Sequence, residues 1–405
     1  MTDQRETAGP LTGVRVVDLT HTAAGPHAAE LLAFLGAEVI KVESHRHPDL
    51  FRRVVDRPEL GLDRSPRFNE VNLNKASILL NIARPEGRDV LLRLVALSDV
   101  VIENFRPGVV ERLGIAYDDL VKVKPDIIMV SISSNGRRGP ESEHPGYASV
   151  FNALGGLGYL TGYPDGPPTE IRDSVDLRVG TAAAFAAMAA LLHRQRTGKG
   201  QYVDLSAREV VSTLIGEALV EFAATGRIPQ RDGNHLGVYA PYDVYPCAGE
   251  DEWVAIAVTD DQEWAALCCA MGQEWLRDDP RFCDAVARAR HREELDALVT
   301  EWTRRHTSTQ AFRVLREHGV PASPVMGAHE LLEDPALRER GVFRTVEHPL
   351  LGRQVVTAPP WRFRSGLPQL RASPTFGQDT ERVLRQVVGL TEEEFRFLSE
   401  AGVIE

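Results

Sequence analysis

Cysteine is scarce in this chain, and its spacing carries no motif. The four residues, Cys247, Cys268, Cys269 and Cys283, form no C-x-x-C pair, which excludes a disulfide framework or a zinc ribbon. They read instead as thiols of a reducing compartment, the adjacent Cys268 and Cys269 expected to be buried. Long hydrophobic runs are also missing. The longest apolar segment, Val179–Leu192, has 14 residues, short of the ~20 that a bilayer requires. Met1–Pro10 is polar and lacks the apolar centre of a signal peptide, so a soluble cytoplasmic protein with no membrane partner is expected. Basic charge is in deficit: 46 Lys and Arg against 58 Asp and Glu give a net charge of −12. A nucleic-acid partner is therefore not expected, since phosphate contacts need a basic face. A small phosphate-bearing ligand needs only a local basic patch and stays open.

The apolar share of 43% and charged share of 26% over 405 residues suit two or three soluble domains with a sizeable core. The first half alternates strand and helix. Val14–Leu19 is a continuous apolar run of the kind buried on both faces of a parallel sheet. The turn THTAAGP follows, then a helix through HAAELLAFLG, stopped by Gly36, and the strand EVIKVE from Glu38 to Glu43. Such a βαβ unit predicts a doubly wound sheet. Further strands are predicted at Ser77–Asn81, Asp99–Glu103 and Asp126–Ile132, with a helix opening at Pro85 that lines up Val90, Leu91, Leu94 and Val95. The first turn has a single glycine, Gly25, followed by Pro26. It lacks the G-x-G-x-x-G that would seat a dinucleotide pyrophosphate, although Glu43 lies where a ribose-binding acid would.

The stretch Asp173–Ser206 is the chemical focus. Asp173 and Asp176 precede Gly180 and an Ala-rich helix over Val179–Leu192, followed by the turn TGKG and the strand QYVDLS. On composition alone, such carboxylates read as solvated loop residues ahead of a buried helix. After Ala224 the polar stretch Thr225–His235 marks a domain crossing. Beyond it come a hairpin within VYAPYDVYPCAGEDEWVAIAV and helices at Asp261–Met271 and Arg288–His306. A further helix, ending near Gly319, begins with Thr307 and Gln310 at capping-box spacing. Tyr239, Tyr242, Tyr245 and Trp253 are candidate contacts in this region that read equally as core.

In this order and spacing, LTGVRVVDLTHTAAGP, LGAEVIKVE, NLNKASILLN, PEGR, ENFRPGVVERLG, the Asp176–Gly180 pair, RTGKGQYVDLS, HGVPASPV and EDPALRERG make the chain resemble the class III CoA-transferases. That family includes formyl-CoA and carnitine CoA-transferases and the α-methylacyl-CoA racemases. The resemblance covers nearly the whole chain. It implies an α/β fold with a Rossmann-like large domain formed by both chain ends (1–225 and 325–405), an inserted smaller α+β domain (226–324), and an interlocked homodimer. It implies no tightly bound cofactor and no metal, with coenzyme A or an acyl-CoA as substrate beside a free carboxylic acid.

The function implied is transfer of CoA from an acyl-CoA donor to that acid. Asp176, four residues before Gly180, would be the nucleophile, with Gly180 leaving room for the thioester and Asp173 the local rival. Position by position, the CoA contacts would be His21, Thr22, Ala23, Ala24, Leu80, Asn81, Ile82, Asn104, Phe105, Arg106 and Arg112. Two departures weaken the phosphate contacts. Ser44 follows Glu43 where a basic residue is common, with Arg46 nearby, and Ala83 follows Ile82, with Arg84 next. No Gly-rich covering loop is evident around Gly233–Gly237. The alternatives are a racemase on the same fold, or a non-catalytic subunit of a heteromeric transferase. A racemase needs a histidine in a Gly-His-Asp motif. Here the matching positions are Gly146, Tyr147 and Ala148, with His144 nearby but out of register.

Overall fold

The computed structural model describes residues 9–53, 57, 59, 61–171 and 174–404, and these divide into two compact units. The first contains the segments up to Tyr159, Glu170–Ile228 and Leu337 onward; the second contains Leu160–Thr169 and Pro229–Ala336. Strands β1 (Arg15–Asp18), β2 (Glu38–Glu43), β3 (Ala76–Leu79), β4 (Val100–Glu103), β5 (Ile128–Ser133) and β6 (Tyr202–Ser206) form the sheet of the first unit. Their order is β3-β2-β1-β4-β5-β6, every pair parallel. Crossovers leave β1 toward opposite edges, so a crevice opens past the carboxyl ends of β1 and β4, where such sheets bind ligands.

Helices α1 (Ala24–Phe34), α2 (Pro66–Glu70), α3 (Pro85–Ala96), α4 (Val109–Leu113), α5 (Tyr117–Val123), α6 (Ala148–Leu154), α7 (Leu157–Leu160), α8 (Ser174–Thr197), α9 (Ala207–Thr213) and α10 (Gly216–Thr225) follow in chain order. Side chains alternate between the two sheet faces. Val16, Val39, Ile102 and Val130 pack with α1 and α8, while Val17, Ile40, Val101 and Met129 pack with α3 and the C-terminal residues Leu384 and Val403. Burial on both faces explains why these strands read as unbroken apolar runs. The chain end also closes the β3 edge. Leu79 N donates to Thr380 Oγ1 at 3.0 Å, Asp379 N donates to the Ser77 carbonyl at 2.8 Å and Asn81 N to the Val403 carbonyl at 2.8 Å.

Three expectations about helices are corrected. The Ala-rich helix begins at Ser174, so Asp176 lies inside its first turn and not in a loop ahead of it. At 24 residues α8 is also long and apolar enough, on those criteria alone, to cross a membrane. Instead, Val175, Val179, Gly180, Ala183, Ala184 and Ala187 bury one face of it. The helix expected over Arg288–His306 is two helices that part at His291, whose ψ of 29° leaves helical geometry.

In the second unit, β7 (Tyr242–Pro246), β8 (Trp253–Ala257) and β9 (Ala322–Pro324) form an antiparallel sheet. Its core gathers Tyr245, Trp264, Phe282, Leu295 and Leu315. Tyr245 is thus a core residue, its hydroxyl donating to Asp296 at 2.6 Å, whereas Tyr239 and Trp253 are exposed. Cys247 and Cys268 are buried but Cys269 is not, because successive helical residues point about 100° apart.

Beneath the crevice lies a cluster of buried ions. Lys75 Nζ meets Asp18 at 2.9 Å, Lys41 Nζ meets Asp49 at 2.9 Å and Arg52 meets Glu43 at 2.8 Å, all six side chains shut off from solvent. Burial alone would raise the Asp18 and Asp49 carboxyls. Lys75 and Lys41 outweigh it at Asp18, and Lys41 with the Phe51 N–H at Asp49, so both stay below the ordinary carboxylate range. Their folded pKa lies below the unfolded one, so this stabilisation is whole above pH ~4 and is lost as pH falls further. Removing one partner strands a charge. Arg52→Met should cost about 3–5 kcal/mol in urea denaturation, because the buried Glu43 loses its guanidinium partner.

Candidate active site

The turn between β1 and α1 is held in an unfavourable conformation. Thr22 has φ 67°, a left-handed backbone that β-branched residues resist. Its N–H donates to Asp49 Oδ1 at 2.9 Å and its hydroxyl to the His21 carbonyl at 2.6 Å, so the buried ions fix the strained residue. His21 N donates to Asn104 Oδ1 at 2.9 Å and Asn104 Nδ2 to the His21 carbonyl at 2.8 Å. This reciprocal pair ties the end of β1 to the end of β4 across the crevice. Burial, then Lys41, push the His21 imidazole below its usual range. It therefore faces the crevice neutral at pH 7, as a hydrogen-bonding group and not a cation.

Over the crevice lies one cavity of about 1580 Å³. His21, Thr22, Ala24, Leu80, Asn81, Ile82, Asn104, Phe105, Arg106 and Asp176 all line it. Ala23 is buried beside the lining, and Arg112 sits on the exposed side of α4, its guanidinium against Gly108. Arg46 and Ala83 line the cavity, but Arg84 turns away to the Ala401 carbonyl at 2.7 Å. Asp173 lies outside the described residues. His144, Gly146, Tyr147 and Ala148 are in the lining as well.

Gly180 has a different role from the one its spacing implied. It is buried where α8 crosses α1, and a Cβ there would stand 2.5 Å from the Ala24 carbonyl and 3.1 Å from His27 Cδ2. The missing side chain admits the helix crossing and not a thioester. Asp176 lies one turn earlier, about 6 Å along the axis. Asp176 and the turn residues His21 and Thr22 line the same cavity.

Sequence reading does not single out Arg53, Arg67, Ser133, Ser134 or Glu170, which also line the cavity. Ser133, the last residue of β5, carries the only advance sign: carboxyl ends of parallel strands face ligands. Arg67 lies over the Phe51 ring at 5.4 Å. Among the described residues no carboxylate pairs with Arg46, Arg53 or Arg106. A concave surface in an acidic protein thus presents unneutralised guanidinium groups.

Sequence and fold comparisons agree with one another. The family model CoA-transferase family III matches residues 11–380, and the chain belongs to that family of enzymes. It is 37% identical to a succinyl-CoA–D-citramalate CoA-transferase of Chloroflexus aurantiacus, over 98% of each chain. It is 32% identical to a formyl-CoA:oxalate CoA-transferase of Streptomyces coelicolor, covering 98% of this chain and all of that one. The crystal structure of a CaiB/BaiF family protein from Brucella suis superposes with a TM-score of 0.84 at 31% identity, over 94% of this chain and 99% of the other.

The helix crossing gives a direct test. Gly180→Ala should cost about 1–3 kcal/mol in denaturation, from overpacking. Because α8 must shift, its transferase activity should fall about 100-fold at a temperature where the protein is still folded.

Proposed function

We propose that the protein moves CoA from an acyl-CoA donor to a free carboxylic acid, with Asp176 as covalent nucleophile. The observation that carries this reading is Asp176 in the first turn of α8, lining the same cavity as the β1–α1 turn and the arginines. A carboxylate oxygen of Asp176 attacks the donor thioester carbon, expelling CoA thiolate and leaving an acyl–aspartyl anhydride. The thiolate attacks the aspartyl carbonyl, releasing the donor's acid and forming aspartyl-CoA. The acceptor carboxylate then attacks that thioester. The thiolate expelled a second time takes the acceptor's acyl carbon, restoring Asp176. No water enters, and no Ser-His-Asp triad is required. The helix N-terminus adds positive partial charge where oxyanions develop.

Strand order orients the substrate. Arg46, Arg53 and Arg67 lie between β2 and β3 in the chain, whereas α8, which carries Asp176, packs against α1 and β5. With strands about 4.8 Å apart, nucleotide phosphates at the arginine end leave the thioester near the crevice centre. A catalytic role is preferred to that of a silent subunit because the carboxylate and the lined cavity occur together in this chain. The relatives' named acids (citramalate, oxalate) favour small polar acids as partners for the reaction. A homodimer fits the exposed apolar face: α10 buries none of its residues in the single chain, and Val220 and Phe185 are 70% and 69% exposed.

Asp176→Asn should keep CoA binding and lose transfer by at least ~1,000-fold, each tenfold being about 1.4 kcal/mol of transition-state stabilisation. Hydroxylamine added to wild type with an acyl-CoA should leave a hydroxamate on Asp176 in peptide mapping. An adduct on Asp173, or an active Asp176→Asn protein, refutes the assignment. Arg46→Ala and Arg53→Ala should each raise KM for acyl-CoA about tenfold. KM for the acceptor acid should not change. Equal effects on both substrates would place the phosphates elsewhere.

A further inference from the structure

Four titratable side chains of the second unit converge on one point, and none of them lines the cavity that holds Asp176. His235 ends the polar stretch that begins at Thr225, Asp243 stands on β7, and Asp296 lies on the helix Arg292–Thr303. One nitrogen or oxygen from each of these three lies within 4.8 Å of the other two. Asp232 stands behind them, its carboxylate 3.1 Å from His235 Nδ1, and the Tyr245 hydroxyl donates to Asp296 Oδ1 at 2.6 Å. His235 and Asp243 are only partly buried, so solvent reaches the group.

The ring of His235 is the informative part. Its Nε2 faces Asp243 Oδ2 at 3.2 Å. Asn234 Nδ2 and Val244 N both donate to the other oxygen, Asp243 Oδ1. A neutral imidazole that donates from Nδ1 to Asp232 turns a lone pair on the Asp243 carboxylate, so positive charge has to lie on or between those two atoms. A proton there serves Asp243 and leaves Asp296 with the Tyr245 hydroxyl alone. Arg292 does not fill the gap. Its donors go to the Gly237 and Tyr239 carbonyls, and it approaches Asp232 only to 4.0 Å. A divalent cation meets the need of all three ligands. The 3.2 Å separation is close to the roughly 3.3 Å edge of a tetrahedron with 2.0 Å bonds. Asp232 stands where a carboxylate orients a metal-bound histidine, and Tyr245 fixes Asp296 in the same manner. One imidazole with two carboxylates suits zinc and its first-row neighbours, whereas calcium and magnesium take all-oxygen shells.

We propose that His235, Asp243 and Asp296 bind one first-row divalent cation per chain, tying the Asp232–His235 turn to β7 and to the helix Arg292–Thr303. The test titrates the intact, chelator-treated protein with zinc by calorimetry and with cobalt(II) by absorption. Wild type should bind one zinc per chain with a Kd of ~10 μM or tighter, and cobalt should show the visible bands of a tetrahedral site. His235→Ala should weaken zinc binding at least ~100-fold, and so should Asp296→Asn, which keeps an oxygen for Tyr245; Asp232→Asn should weaken it about tenfold. Zinc should raise the Tm of wild type and leave that of the His235 and Asp296 variants unchanged. Weaker binding by wild type, or binding that survives both of those substitutions, overturns the proposal. So do near-ultraviolet cobalt–thiolate bands, which would place the metal on the exposed Cys269 or Cys283. No arm depends on turnover, so the hydroxamate result at Asp176 stands or falls separately.

Discussion

The site depends on a set of charges that never meet water. Asp49 receives the Thr22 N–H, the Phe51 N–H and the Lys41 ammonium, while Lys41 also donates to the Thr20 carbonyl at 2.7 Å. One carboxylate therefore sets the backbone of the β1–α1 turn and the segment that follows β2. Lys75 repeats the pattern, donating to Asp18, to the Pro26 carbonyl and to Asn72. Desolvating six ions is expensive and returns little net stability. Its return here is geometric: a threonine held at positive φ beside a neutral imidazole, with no freedom to relax when a large anionic ligand arrives.

The second constraint is the near contact of α1 and α8. Small residues on both helices let the backbones approach, and Gly180 marks the tightest point. Close packing fixes the start of α8 and ion pairing fixes the β1–α1 turn, two independent means, and residues of both line one cavity.

Much of this was legible in the sequence. Continuous apolar runs gave the strands, because burial on both faces leaves no polar alternation. The order of motifs gave the family. Other features were hidden for physical reasons. Arg52 contacts the Pro374 carbonyl, 322 positions away, and no local pattern encodes such a pairing. The spacing of Asp176 and Gly180 was visible, but spacing cannot tell a glycine that admits a ligand from one that admits a helix. Asp232 and His235 look like ordinary polar residues of a crossing until Asp243 and Asp296 are found beside them. Arg53 and Arg67 belong to no motif, and the cavity alone brings them into view.

The order in which the chain is made has a consequence for the ion cluster. Arg52 leans on the Pro374 carbonyl and on the ring of Phe376, Asp63 accepts the Phe376 N–H, and the β3 edge is closed by Thr380 and Val403. A nascent chain that has emerged through β6 can assemble the sheet but not seal these charges. Until the last thirty or so residues leave the ribosome, the cluster is open to water on one side and the β3 edge is unpaired, the kind of exposed edge on which partly folded chains aggregate. Completion of the crevice is therefore a late event in the life of each molecule. Truncation from the C-terminus reaches the site first through its foundations.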